Sequence, residues 1–169
     1  ERANMKAFHP LAFYAAQVTV HGASTPTVAK YLREARSQGI RILAPCVNRS
    51  ALRFRPEGED SIRFGLSAIK GLGEAALTEL LRAREAGKPF QGLIDLAKRC
   101  EPRKFPRKAM ALLVDAGAMD CFEEPRRRLL ASVETVFRLA ARTHRDRAAG
   151  QMTLFGGSGM TDTAADDDR

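Results

Sequence analysis

The spacing of apolar residues changes along the chain, and each spacing predicts a different element. Residues 25–39 place apolar side chains every three or four positions, which predicts an amphipathic helix that ends at a glycine. Residues 40–45 have the spacing of a short strand that ends at a proline. Residues 52–55 and 61–64 alternate apolar and polar positions on either side of the turn-rich stretch PEGED, so we expect a β-hairpin there.

Helical spacing returns at residue 65 and includes a weak internal repeat. Residues 65–86 and 105–140 each contain a helical pattern, a short turn with glycine and a second helical pattern. The first turn is the GLG sequence at 71–73, and the second is centred on Gly117. A helix, a Gly-hydrophobic-Gly turn and a second helix are typical of a helix-hairpin-helix.

A long final helix is expected after Pro125, and it should end near Gly150. Its predicted apolar face is formed by Leu129, Leu130, Val133, Val136, Phe137 and Ala140. Beyond Gly150 small, polar and acidic residues predict disorder. The expected fold is therefore mainly α with a small β-hairpin, in which a tandem helix-hairpin-helix domain is followed by a long helix and a disordered tail.

The charge of the chain is unevenly distributed. The net charge is +8, but residues 151–169 carry four aspartates against one arginine, so the remainder is more basic than the whole. A basic body with an acidic tail fits a polyanionic partner, most often nucleic acid. A basic surface on an ordinary globular domain explains the same charge equally well.

Other candidate chemistry is sparse. The three cysteines, Cys46, Cys100 and Cys121, have no CxxC spacing and form no disulfide framework, so we expect reduced, buried thiols in a cytoplasmic protein. The three histidines show no zinc spacing, and no group of residues suggests a catalytic site. No apolar run approaches the roughly 20 residues of a membrane span, and no signal peptide is present. Because the first residue is Glu1, we expect a segment of a longer protein.

The GLG turn at 71–73 could bind a phosphate group. The turn favours glycine, and the following helix would point its unpaired N–H groups and its positive dipole end outward. Lys70 precedes the turn and would add a charge-assisted contact. Such a site contacts the DNA backbone without reading the bases. The alternative is a turn that only joins two packed helices, and Glu74 beside the site favours this alternative slightly.

The second turn has one glycine, and its basic residues come earlier. Arg103, Lys104, Arg107 and Lys108 precede or begin a helix, where positive charge opposes the helix dipole. A bound anion would relieve that conflict, whereas a solvated helix face is the simpler explanation. The run Arg126–Arg128 at the start of the last helix has the same conflict.

Five segments together resemble a known family. They are residues 3–10 (ANMKAFHP), 29–31 (AKY), 39–48 (GIRILAPCVN), 62–73 (IRFGLSAIKGLG) and 113–120 (LVDAGAMD). In this order they are similar to the catalytic (alpha) subunits of bacterial DNA polymerase III, from the end of the fingers domain onward. The order of Phe8 and His9 is reversed relative to that family, and Cys46 replaces an aspartate.

The resemblance implies a domain organisation and a role for each part. Residues 1–22 would end the fingers domain, 23–64 would form a helix and a small β element, 65–147 a tandem helix-hairpin-helix region with its long helix, and 148–169 a flexible tail. The helix-hairpin-helix region would hold duplex DNA through its phosphates. The residues implied in DNA binding are Lys70, Gly71, Leu72, Gly73, Arg103, Lys104, Arg107, Lys108, Gly117 and Ala118.

The tail contains a sequence that resembles the family's clamp-binding motif. Gln151, Leu154 and Phe155 match the consensus QxxLF, with Met152 and Thr153 between them. A peptide of this kind would insert its two apolar side chains into a groove of the bacterial sliding clamp, the beta subunit.

The parent protein implied by the resemblance is a DNA-directed DNA polymerase, a nucleotidyltransferase of DNA replication that uses Mg. This chain would supply no catalytic residue, metal or cofactor of its own, and would meet other replicase subunits only through the parent. Two other interpretations remain: a structural module between domains, and a stand-alone helix-hairpin-helix DNA-binding protein.

Overall fold

A computed structural model of the chain describes residues 25–156, together with Pro10 and Tyr14. The helices and strands in this range are α1 (Thr25–Ser37), β1 (Arg41–Leu43), β2 (Arg55–Glu57), β3 (Ser61–Arg63), α2 (Glu74–Glu85), α3 (Leu93–Arg99), α4 (Arg107–Asp115) and α5 (Arg126–Gly156). Short 3-10 helices form at Leu66–Ala68 and Asp120–Phe122. The expectation of a mainly helical fold with a small sheet is confirmed. Residues 1–22, which the resemblance assigns to the end of the fingers domain, lie outside the described residues except for Pro10 and Tyr14.

The three strands form one sheet in the order β1-β3-β2. β3 is antiparallel to β2, as the hairpin prediction requires, and is also parallel to β1, which the prediction did not include. The first hairpin strand lies at 55–57 and not at the predicted 52–55. The reason is that the carbonyl groups of Ala51 and Leu52 accept hydrogen bonds from Leu66 and Ser67, at 3.1 and 2.9 Å, and so pair with the 3-10 helix.

Helix α1 and the sheet share a small apolar core. Its buried residues in this range are Val28, Leu32, Ala35, Ile40, Phe54 and Ile62. Gly39 ends α1 with φ of +81°, as the sequence predicts for a left-handed position.

A larger core joins α2, α3, α4 and the first half of α5. The helical patterns predicted on either side of the glycine turns supply buried members of this core, among them Leu77, Leu80, Met110 and Leu113. Only the 3-10 helix precedes the first turn, where a longer helix is predicted. Gly65 explains this, because a Cβ there would lie 2.6 Å from the backbone carbon of Arg53, and this close approach keeps the chain extended.

Helix α5 continues to Gly156, past the predicted tail boundary at residue 148. Leu129, Val133, Val136 and Ala140 are buried as predicted, whereas Leu130 is exposed and does not widen the apolar face. Residues 157–169, where disorder is predicted, lie outside the described residues. Cys46 and Cys100 are buried, but Cys121 is exposed, contrary to expectation.

Candidate nucleic-acid interface

The first glycine turn leads directly into α2. Gly71 has φ of +91°, a conformation that favours glycine, and Gly73 is the N-cap residue of α2. The first intrahelical bond runs from the Leu77 N–H to the Gly73 carbonyl at 3.2 Å. The N–H groups before Leu77 therefore have no partner within the helix. Lys70 is exposed beside them, as is Glu74.

Gly73 differs from Gly71 because neither its backbone conformation nor its packing requires glycine. Its φ is −77°, which any residue adopts, and a Cβ built on it has no atom within 4 Å. Solvent-exposed space therefore lies directly over the start of α2. A glycine in such a position permits close approach of an external group to the backbone.

The two glycine turns lie near each other. A Cβ on Gly71 would stand 3.2 Å from Cδ1 of Leu112, which is in the second half of α4. The Leu112 carbonyl accepts a hydrogen bond from Ala116 at 3.0 Å, immediately before Gly117. The first turn thus packs against the helix end that leads into the second.

The second turn is tightly bonded to the rest of the protein. Gly117 has φ of +82° and donates to the Val114 carbonyl at 3.0 Å, while Ala118 donates to Leu113 at 2.9 Å. The Ala118 carbonyl accepts from Val47, also at 2.9 Å. Ala118 is fully buried and both its backbone polar groups are bonded within the protein, so it has no free backbone donor for a ligand.

Arg126 covers the second turn, a feature that the sequence did not predict. A Cβ on Gly117 would lie 2.6 Å from Arg126 Nη2. Arg126 also makes two hydrogen bonds to Asp120, Nε to Oδ1 at 2.9 Å and Nη2 to Oδ2 at 2.7 Å, which lower the pKa of Asp120. The sequence did indicate that the positive charges of Arg126–Arg128 at the start of a helix need an anionic partner. For Arg126 that partner is the carboxylate of Asp120.

The basic cluster lies at the opposite end of α4 from the second turn. Arg103, Lys104, Arg107 and Lys108 are all exposed. Because α4 has nine residues, about 13 Å separates its two ends. Arg107 forms an ion pair with Glu134, and Lys104 Nζ lies 3.5 Å from Glu101 Oε2. Within residues 25–156, Arg103 and Lys108 have no carboxylate partner.

A buried carboxylate fixes the segment that carries this cluster. Glu79 is only 2% exposed, yet it accepts hydrogen bonds from Arg82 Nε at 2.9 Å and from the Glu101 N–H at 2.9 Å. The hydrogen bonds from Arg82 are the main cause that lowers the pKa of Glu79, and the Glu101 N–H adds to the shift. The start of the 101–106 segment is thereby held against α2.

Comparison with known families agrees with this geometry. The family described as "helix-hairpin-helix motif" matches residues 39–129, which include the sheet, both glycine turns and the start of α5. The chain belongs to the helix-hairpin-helix family.

Relatives of this helix-hairpin-helix chain are named DNA polymerase III subunit alpha. The protein of Thermus aquaticus is 43% identical over 92% of the chain, that of Deinococcus radiodurans 39% over 90%, and that of Chlamydia pneumoniae 36% over 90%. The resemblance indicated by the sequence motifs is therefore confirmed. The chain spans 12% of the length of each of these relatives.

Residues 151–155, whose sequence resembles a clamp-binding motif, form the last part of α5 in this helix-hairpin-helix chain. Gln151 is exposed, and the side chains of Met152, Thr153, Leu154 and Phe155 lie outside what the structure describes. In a helix, positions separated by three and four residues share one face, and Gln151, Leu154 and Phe155 have this separation.

Among residues 25–156 no helix is long and apolar enough to cross a membrane. In the same range, no three His, Cys, Asp or Glu side chains are grouped as metal ligands.

Proposed function

We propose that this chain holds duplex DNA by sequence-independent phosphate contacts, as a non-catalytic segment of a bacterial replicative DNA polymerase. Gly73 carries the proposal, because neither its backbone conformation nor its packing requires glycine. A phosphate approaching the start of α2 would need that open space. It would meet unpaired N–H groups, the positive end of the helix dipole and Lys70.

The proposed contacts extend along α4. The first turn would bind one phosphate, and the basic cluster Arg103–Lys108 would bind others farther along the duplex. Gly117 and Ala118 would support the second turn from inside the protein. Arg126 takes their place as the proposed contact there, because its guanidinium lies over the turn and is half exposed.

The experiment compares two N-cap glycines. Gly73→Ala and Gly92→Ala both add a methyl group to a glycine that caps a helix and has no atom within 4 Å of its Cβ position. We expect Gly73→Ala to weaken binding of a short duplex about tenfold by fluorescence anisotropy, whatever the sequence, and Gly92→Ala to leave it unchanged. Equal affinities would contradict phosphate binding at the first turn. Wild-type affinity that does not fall with salt would contradict the whole proposal.

A second candidate is a structural module in which the turns only pack helices together. The bonded second turn and the contact between Gly71 and Leu112 favour it. An intact fold with no duplex binding at low salt would support this candidate.

We further propose that residues 151–155 dock onto a bacterial sliding clamp. The proposal rests on the match of Gln151, Leu154 and Phe155 to the motif and on its position at the end of α5. Burial of Leu154 and Phe155 in a clamp groove would contribute about 1.5–3 kcal/mol each. The parent's polymerase activity, its Mg and its other replicase partners are part of the same proposal.

A further inference from the structure

A cleft of about 700 Å³ lies between the second half of α5 and the segment that precedes α4. Four of its lining side chains are cationic or can become so: Arg82, Arg103, His144 and Arg145. We infer that this cleft binds a phosphate group of the DNA backbone, at a site separate from the glycine turns. The inference rests on the proposed duplex binding and assigns to it a contact on α5.

The arginines of the cleft have N–H donors without an acceptor in the described part of the chain. Arg103 and Arg145 are exposed and, within residues 25–156, neither has a carboxylate partner. Arg82 binds Glu79 through Nε and Nη2, and its Nη2 also donates to the Arg99 carbonyl at 3.3 Å. These bonds fix the orientation of the guanidinium and leave its Nη1 without a protein acceptor in the described part.

The acidic lining residue does not cancel this charge. Glu101 is the one carboxylate among the residues that line the cleft, and it lies 3.5 Å from Lys104. Glu79, which is buried beneath Arg82, is compensated by that arginine. Arg103 and Arg145 therefore remain without a counter-charge in the described part of the chain.

His144 supplies an independent observation. Its Nε2 is buried and has no hydrogen-bond partner in the described structure. Such an atom costs about 1–3 kcal/mol when left unpaired. A phosphate oxygen in the cleft would accept a hydrogen bond from Nε2–H, in the neutral ring with that tautomer or in the protonated ring.

The shape of the cleft leaves room for this ligand. Ala141, His144, Arg145 and Ala148 follow one another at intervals of three, one and three residues and line the cleft from α5. The two alanines are too short to fill it, so the space between the polar side chains stays open. Guanidinium groups match phosphate oxygens through paired N–H donors.

Continuity with the basic cluster favours DNA over an acidic peptide. Arg103 belongs both to the cleft and to the cluster at the start of α4. A duplex that contacts Lys104 and Lys108 would reach the cleft by following its own backbone. The acidic segment of this chain, residues 157–169, is the competing occupant.

The first experiment follows His144 directly. In the full chain with His9→Gln and His21→Gln, His144 is the only histidine, and its ring nitrogens give one set of ¹H–¹⁵N signals. We expect saturable shifts of these signals on titration with inorganic tripolyphosphate. Arg103→Gln with Arg145→Gln should abolish them, whereas Arg36→Gln with Arg142→Gln, which removes two exposed charges outside the cleft, should not. The same loss in both double variants would overturn the proposal.

A second variant closes the cleft without changing charge. Ala148 is exposed on α5, so Ala148→Leu should fold normally, as circular dichroism would verify, and should weaken tripolyphosphate binding at least fivefold. Unchanged binding would overturn the proposal. If deletion of residues 157–169 alone moves the His144 signals in the direction opposite to the tripolyphosphate shifts, the acidic segment occupies the cleft and the proposal is wrong.

The third experiment separates this inference from the proposed function. Duplex affinity is measured over a range of salt concentrations for the wild type and both double variants. Loss of the cleft arginines should lower the log–log salt slope by about 1–2, at roughly 0.9 for each phosphate contact. If the wild type binds duplex and the salt slope is the same in the Arg103→Gln with Arg145→Gln variant, phosphate binding in the cleft alone is overturned. A wild type that binds tripolyphosphate at His144 but no duplex would overturn the proposed DNA function and its extension to the cleft.

Discussion

The guanidinium of Arg126 lies over Gly117 and is held there by Asp120. A Cβ on Gly117 would come within 2.6 Å of Arg126 Nη2, which donates to Asp120 Oδ2 at 2.7 Å. The second hairpin turn is therefore covered by an ion pair, whereas the first turn is open. The two halves of the repeat differ in what they present to a ligand.

The first prediction follows from this ion pair. Asp120→Asn removes an anion from the second turn and frees Arg126, so duplex affinity at low salt should rise about threefold to tenfold. Both side chains are half exposed, so the free energy of unfolding should fall by no more than about 1 kcal/mol. Anisotropy titrations and urea denaturation measure the two effects. The control is Glu124→Gln, an equal change of charge on an exposed side chain. An equal gain in affinity there would mean that net charge alone is responsible.

The second prediction concerns the contact between the first turn and α4. Gly71→Ala forces alanine to a φ of +91°, which should lower the free energy of unfolding by about 1–2 kcal/mol. Gly39→Ala, at +81° with no atom near its Cβ, should show the strain alone. The double variant with Leu112→Ala should recover part of the loss at Gly71, because the nearest atom is a Leu112 methyl group 3.2 Å away. Strict additivity in urea denaturation would contradict this packing.

The sequence predicted what depends on local spacing. The faces of α2, α4 and the first half of α5 follow from the helical period, and Gly39, Gly71 and Gly117 all have the positive φ expected of glycine in such turns. The helix-hairpin-helix class and the family resemblance followed from the same local patterns.

What failed depended on contacts between distant segments. The hairpin strand moved because Ala51 and Leu52 bond to the 3-10 helix, and Ala118 is enclosed because its carbonyl accepts a hydrogen bond from the distant Val47. The cover over Gly117 is a nearer contact, since Asp120 precedes Arg126 by only six positions, but it joins two different elements. No periodic pattern carries such information.

The third prediction concerns pH. The hydrogen bonds of Glu79 lower its pKa, so its ionised form stabilises the fold. That contribution is fully present above the ordinary value of 4.5 and is lost as the pH falls through the lowered folded value. Glu79→Gln should therefore reduce the free energy of unfolding by about 1–3 kcal/mol at pH 7 and by much less at pH 3.

Urea denaturation at the two pH values measures this difference, with Glu124→Gln as the control. Glu124 is exposed and, in the described part of the chain, has no ion pair. An equal loss at pH 7 and pH 3 for Glu79→Gln would show that the amide fails to replace a hydrogen bond and that charge is not involved.

The last prediction tests the clamp motif. Leu154→Ala with Phe155→Ala removes the two proposed anchors, and at about 1.5–3 kcal/mol each their loss should weaken binding to a bacterial sliding clamp at least a hundredfold in calorimetric titrations. Met152→Ala with Thr153→Ala changes the two intervening positions and should have a minor effect. Duplex affinity should be the same in both variants, because no proposed phosphate contact lies in residues 151–155. If the Leu154→Ala with Phe155→Ala variant binds the clamp as tightly as the wild type, the motif assignment is wrong. If both variants are weakened equally, the clamp recognises the whole helix end without specific anchors.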